Sequence, residues 1–225
     1  MSSEPPKSSR QLGAVLFDMD GTVVDTEGLW WAACFEVALH LGSALAASDQ
    51  HILLGLSIED AAEHLIRMAD GAPTRREVET MITKAFTVRV EAGVTTLPGA
   101  LPLLDALDAA GIPAALVSAS PRRIVDIVLE TIGAHRFQLS IAAEESARNK
   151  PAPDPYLTAV RKLGVDPEDC VAIEDSPTGV ASARAAGCAV ILAGGADAVP
   201  AGVARVSTLE SVDLPLLRLL VSRRD

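Results

Sequence analysis

Asp18 and Asp20 stand in Phe17-Asp18-Met19-Asp20-Gly21-Thr22, directly after the apolar run Ala14-Val15-Leu16-Phe17. Such a run reads as a buried parallel strand, and open α/β sheets gather their ligand chemistry at the carboxyl ends of strands. Two carboxylates this close repel one another unless they share a cation. The pair therefore suggests a metal-assisted site in which one carboxylate attacks and the other moves protons.

Three further polar groups occupy equivalent positions. Ser118 follows the apolar stretch Ile112 to Val117, and Glu174-Asp175 follows Cys170 to Ile173. Lys150 lies in a loop after Phe137 to Ile141. In a parallel sheet these strand ends converge on one edge. The residue types suit attack on a phosphate ester, whose oxygens repel nucleophiles until a divalent cation screens them. Asp18 and Asp175 can supply carboxylates to Mg2+, which prefers oxygen ligands. Lys150 adds a positive charge opposite the metal. The Ser118 hydroxyl and nearby backbone N–H groups, that of Ala119 among them, can hold phosphoryl oxygens. Asp18 can attack phosphorus. Asp20 can protonate the leaving oxygen and then deprotonate the resolving water.

The elements that must position these groups are legible as alternating patterns. Glu27 to Leu41 has apolar residues at helical spacing, and two more helical stretches follow, Ile58 to Ala69 and Thr74 to Val90. Thr74 with Glu77 is a capping-box pair. No strand pattern occurs between 27 and 92, so this block reads as a helical insert. From Pro98-Gly99 onward, helices are predicted over Ala100–Ala110, Arg122–Thr131, Asp154–Leu163, Gly179–Ala186 and Pro215–Ser222. Strands alternate with them over Ile112–Val117, Phe137–Ile141, Cys170–Ile173, Ala189–Leu192 and, weakly, Val203–Val206. This order argues for an α/β fold with a parallel sheet.

The segments Asp18-Met19-Asp20-Gly21-Thr22, Val117-Ser118, Lys150-Pro151 and Glu174-Asp175-Ser176-Pro177-Thr178-Gly179 together resemble the four motifs of the haloacid dehalogenase superfamily. The resemblance spans about residues 12 to 195. It implies a Rossmann-like parallel sheet with helices on both faces and an inserted helical cap. The core would comprise 11–26 and 93–225, the cap 27–92, and residues 1–10 a disordered tail. It implies Asp18 as nucleophile, Asp20 as acid/base, and Ser118, Ala119 and Lys150 around phosphate. Mg2+ would be held by Asp18, the Asp20 backbone carbonyl and Asp175, with Glu174 a ligand or its supporting neighbour. Asp20 disfavours a true dehalogenase, which lacks this second carboxylate. Where β-phosphoglucomutases of the superfamily carry a cap histidine, this chain has Trp30, in a stretch closer to that of sugar-phosphate phosphatases. The implied activity is Mg2+-dependent hydrolysis of a small phosphorylated metabolite, a sugar phosphate, with a phosphomutase and a noncatalytic phosphometabolite-binding protein as the alternatives.

Composition narrows the partners. At 225 residues with 49% hydrophobic and 3% aromatic residues, the core must be built from Ala, Val, Leu and Ile. A net charge of −11 disfavours nonspecific nucleic-acid binding. No run of about 18 apolar residues suggests a membrane span. Cys34, Cys170 and Cys188 show no CxxC spacing, which fits a reducing, cytoplasmic setting. Several residues also have plain structural readings. Trp30 suits the interior of the cap, Asp175 and Ser120 could cap helices, and Arg122 and Arg123 suit a solvated helix start. The segment Leu54-Gly55-Leu56-Ser57 resembles a specificity loop and equally a helix–helix turn. Nothing in the sequence specifies an oligomeric state.

Overall fold

The computed structural model describes residues 10–54, 56–69, 71, 73–194 and 199–222. Of the tail expected over 1–10, all but Arg10 lies outside these residues. The Arg10 guanidinium pairs with Asp169 at 3.2 Å and with Glu168. Gly55 of the Leu54–Ser57 segment is also outside.

The chain opens with β1 (Ala14–Phe17) and a two-residue strand β2 (Val24–Asp25). Four helices follow: α1 (Glu27–His40), α2 (Gln50–Leu53), α3 (Ile58–Met68) and α4 (Arg75–Glu91). After β3 (Thr95–Thr96) the alternation begins, with α5 (Ala100–Ala109), β4 (Ala114–Val117), α6 (Arg122–Ile132) and β5 (Leu139–Ile141). It continues through α7 (Asp154–Leu163), β6 (Cys170–Glu174), α8 (Pro177–Ala185), β7 (Ala189–Ala193), β8 (Ala204–Val206) and α9 (Leu214–Ser222).

Six strands form one parallel sheet in the order β5-β4-β1-β6-β7-β8. From β1 the chain works outward to β5, then returns to β6 on the other side of β1. The order reverses between β1 and β6, and such a reversal opens a crevice at the carboxyl ends of the strands. Phe17 is paired with Leu116 on one side and Ile173 on the other. Asp18 and Glu174 therefore leave the sheet at the same level, next to each other.

The strands are apolar throughout because both sheet faces are covered. Val15, Phe17, Leu116, Val171 and Ile173 pack into one cluster; Ala14, Leu16, Ala115, Val117, Cys170 and Ala172 pack into a second. This alternation is the period-two geometry of a strand acting on a sequence with few aromatics.

The helices between β2 and β3 pack on one another. Val78, Ile82, Ala85, Phe86 and Val90 form the buried stripe of α4. The Trp30 ring on α1 meets Phe86 edge-on at 5.3 Å, and its indole N–H donates to the Leu53 carbonyl at 2.9 Å. The two chain segments leading into and out of this helical block pair as an antiparallel ribbon, Val24 with Thr96 and Asp25 with Thr95. That ribbon and α2 carry no sequence signal, since neither is long enough to show a period. The capping box at α4 is present: Glu77 N–H donates to Thr74 Oγ1 at 3.3 Å, and Thr74 N–H donates to the Glu77 carboxylate at 2.8 Å. Among the described residues no helix is long and apolar enough to cross a membrane.

Thr74→Ala removes one half of this reciprocal pair. Chemical denaturation should show a stability loss of about 1 kcal/mol; an unchanged unfolding midpoint would mean that the box contributes nothing.

Candidate active site

Asp18 is the first residue after β1, and its backbone N–H still donates to the Ile173 carbonyl of β6 at 2.9 Å. The Lys150 ammonium crosses the sheet edge to meet it. Its Nζ lies 2.6 Å from Asp18 Oδ1, 2.6 Å from Glu174 Oε1 and 2.9 Å from the Val117 carbonyl. Three donors thus meet three acceptors, the full capacity of an ammonium. The Tyr156 hydroxyl donates to the same Glu174 oxygen. These groups are shut away from water: the Lys150 side chain is 5% exposed, Asp18 9% and Glu174 0%.

Asp18, Glu174 and Asp175 each bring a carboxylate oxygen to within 4.8 Å of the others. One ammonium cannot neutralise three carboxylates. Burial, and then the Asp18 charge, pushes the Asp175 carboxyl up to about 9. Burial pushes Glu174 up to about 7, although Lys150 pulls the other way. Burial works against the charge on Lys150, yet Asp18 and Glu174 hold it above the ordinary lysine value. An oxygen-only cluster with surplus negative charge fits a hard divalent cation such as Mg2+.

Two glycines keep this cluster possible. A Cβ on Gly179 of α8 would lie 1.9 Å from Glu174 Oε2, and one on Gly21 would lie 2.1 Å from Asp175 Oδ2. Gly21 also has φ of 77°, a conformation that side chains with a Cβ rarely adopt. The first turn of α8 is capped by Ser176, whose Oγ accepts from Gly179 N–H at 3.1 Å, with Pro177 at the first helical position. Asp175 is therefore not the cap, and the helix starts two residues before the Gly179 expected from the sequence.

The Asp20 carboxylate stands apart from the cluster. It accepts from Thr26 Oγ1 at 2.7 Å, Ser120 Oγ at 2.9 Å and Ser118 Oγ at 3.3 Å. Burial, and then the Asp18 charge, raises its pKa. Of the residues read from the sequence, the structure brings Asp18, Asp20, Ala119, Lys150 and Asp175 onto the wall of one cavity of about 270 Å³. Glu174 lies behind that wall. Ser118 is buried as well, and its hydroxyl serves Asp20 and accepts from Ser120 N–H at 2.9 Å. Ser120 does not cap α6, which begins after Pro121; it lines the cavity and holds Asp20.

Thr26 and Tyr156 were not singled out from the sequence, and Ser120 was read there only as a possible helix cap. Tyr156 is the single tyrosine of the chain, next to Pro155 at a helix start, which is the one signal that could have marked it. Trp30 packs inside the helical block between β2 and β3 and also lines the cavity, with Leu54, Leu56 and Phe86. Arg122 and Arg123 take no part: Arg122 is engaged by Glu145, Asp126 and Ser140, and Arg123 by Glu91.

The parallel sheet, its central strand ending in a lysine-held aspartate beside an acidic pair, places the chain among hydrolases of the α/β class. Residues 15–193 match the haloacid dehalogenase-like hydrolases, and the chain belongs to that family. It is similar to hexitol phosphatase A of Escherichia coli, 32% identical over 93% of this chain and 94% of that one. It is also similar to the protein CbbY of Rhodobacter capsulatus, 33% identical over 81% of this chain and 85% of that one. The crystal structure of CbbY from Rhodobacter sphaeroides in complex with phosphate superposes with a TM-score of 0.81 at 28% identity, covering 89% of this chain and 96% of that one.

The raised carboxyls carry a stability consequence. Without a cation, the folded chain binds more protons than the unfolded chain from the ordinary carboxyl range up to the raised values of Glu174 and Asp175. Stability in EDTA should therefore fall as pH rises from about 5 toward 9. Asp175→Asn should flatten that fall, and Mg2+ should restore the wild-type protein most at the alkaline end. Thermal unfolding across this range checks the sign; a stability that rises with pH in EDTA would contradict the crowding.

Proposed function

We propose that the protein is a Mg2+-dependent phosphatase that hydrolyses a small phosphorylated metabolite, a sugar phosphate, through an aspartyl-phosphate on Asp18. The observation that carries this reading is the separation of the two aspartates within one cavity. Asp18 faces the acidic cluster and Lys150, whereas Asp20 is held by Thr26 and Ser120. Similarity to hexitol phosphatase A over nearly the whole chain supports the substrate class. The three cysteines are buried and widely spaced in sequence, with no CxxC pair, which supports a cytoplasmic setting.

Asp18, Asp175 and the Asp20 carbonyl would hold Mg2+, with Glu174 behind them. When bound, the ion screens the phosphoryl oxygens and polarises phosphorus. Asp18 attacks phosphorus; the new O–P bond forms as the bond to the alcohol oxygen breaks. Asp20, whose pKa burial raises, gives that oxygen its proton. Asp20 then takes a proton from water, whose oxygen attacks the phosphoryl group and frees Asp18. Lys150 keeps one Asp18 oxygen fixed, so the other is the one presented to the substrate. The Ala119 N–H would donate to a phosphoryl oxygen, while the Ser120 hydroxyl stays committed to Asp20. The helices between 27 and 92 act as a cap that closes the cavity and excludes bulk water.

Against a mutase stands Trp30, which occupies the place of the cap histidine of β-phosphoglucomutases and whose N–H donates to the Leu53 carbonyl. A noncatalytic binder has no use for a second, separately held carboxylate at Asp20.

Phosphate release from a panel of sugar monophosphates should proceed steadily with Mg2+ and stop in excess EDTA. Asp18→Asn should lose about 1,000-fold or more in kcat while keeping a wild-type circular dichroism spectrum. Wild-type-like release by that variant would overturn the nucleophile assignment.

A further inference from the structure

The cavity is charged asymmetrically along its length. At the sheet end, Lys150 and the metal-seeking carboxylates can receive one phosphate. At the cap end the wall is apolar, with Trp30, Phe86, Leu54, Leu56 and Ile58, and its charged side chains are both acids, Glu27 and Asp60. Neither acid has an ion-pair partner among the described residues. Lys150 is the one cationic side chain among the described residues of the wall, and all three of its donors are taken.

The amino end of α3 reaches this wall through Ser57 and Asp60, and such an end ordinarily draws an anion. Here it is already answered from within. The Asp60 N–H donates to Ser57 Oγ at 3.1 Å, the Ser57 hydroxyl donates to the Asp60 carboxylate at 2.9 Å, and Glu59 and Asp60 fill the first turn. Asn149, next to Lys150 in sequence and also on the wall, leaves its side-chain oxygen buried with no hydrogen-bond partner among the described residues. The Asn149 oxygen and the Glu27 and Asp60 carboxylates are acceptors, and the fixed charge at the cap end is negative.

We propose that Glu27 and Asp60 set specificity by charge: they select a monophosphate whose far end is neutral and hydroxyl-bearing, and reject a second phosphate or a carboxylate. This rests on the phosphatase reading and narrows its substrate class. Hydroxyls can donate to Asn149 and to the two acids, while C–H faces lie against Trp30 and Phe86. An anionic far end meets two like charges with no cation to answer them, so discrimination comes from repulsion.

A matched pair of esters isolates the effect. Hexitol 6-phosphate and hexonate 6-phosphate differ in one terminal group, CH2OH against COO−. With Mg2+ at low ionic strength, the neutral ester should have kcat/KM about tenfold or more above the acid ester, the difference lying in KM. The ratio should shrink as salt is added. It should collapse toward one in the Glu27→Gln/Asp60→Asn double variant, with Glu27→Gln and Asp60→Asn alone intermediate. Equal kcat/KM for the two esters in the wild type, or a ratio unmoved by both salt and the substitutions, would overturn the proposal. If neither ester nor any other releases phosphate, it is the phosphatase reading that fails. Equilibrium binding of the same two esters then decides the charge claim: tighter binding of the neutral one supports it, and equal binding overturns it.

Discussion

One buried ammonium among three carboxylates is the constraint around which this molecule is arranged. Lys150 can satisfy Asp18 and Glu174, but it leaves Asp175 crowded and the site short of positive charge. Burying such a surplus is costly unless a cation completes it. The fold supplies what that arrangement needs. Adjacent central strands β1 and β6 bring Asp18 and Glu174 to one level, and Gly21 and Gly179 leave room where a single methyl would collide with a carboxylate. Tyr156 gives Glu174 a neutral donor beside the Lys150 ammonium, its own proton held firmly by burial and by the Glu174 charge.

The second aspartate is treated in the opposite way. Asp20 receives hydroxyls from Thr26, Ser118 and Ser120 and no ammonium. Hydroxyl partners fix its direction without fixing its charge, which suits a group that must gain and lose a proton. The cation site and the proton carrier are thus separated by their partners, although the two side chains start two residues apart.

Much of this was legible in the sequence because it depends on local rules. The helix Asp154–Leu163 emerges with the expected ends, since Pro155 suits a first turn and Gly164, at φ of 72°, suits the stop. Asp18, Lys150 and Asp175 were legible because each follows an apolar strand or its loop in a parallel sheet. Thr26 and Ser120 were not, because their task is set by where Asp20 points, and that is decided across a separation of 100 residues for Ser120. Ser118 shows the same limit: its place at the strand end was readable, but its hydroxyl turns to Asp20 and away from the cavity. The β2–β3 ribbon escaped because two residues per strand cannot display alternation. Trp30 resisted a single role because it has two, packing on Phe86 and facing the cavity.

The most direct measurement of the central claim is proton release on Mg2+ binding. A carboxylate cluster that holds protons for want of a cation must give them up when the cation arrives. Titration calorimetry of the wild-type protein near pH 7, repeated in buffers of different ionisation enthalpy, should show protons released as Mg2+ binds, with the release much reduced in Asp175→Asn. Mg2+ binding without proton release, or no binding at all, would contradict the account.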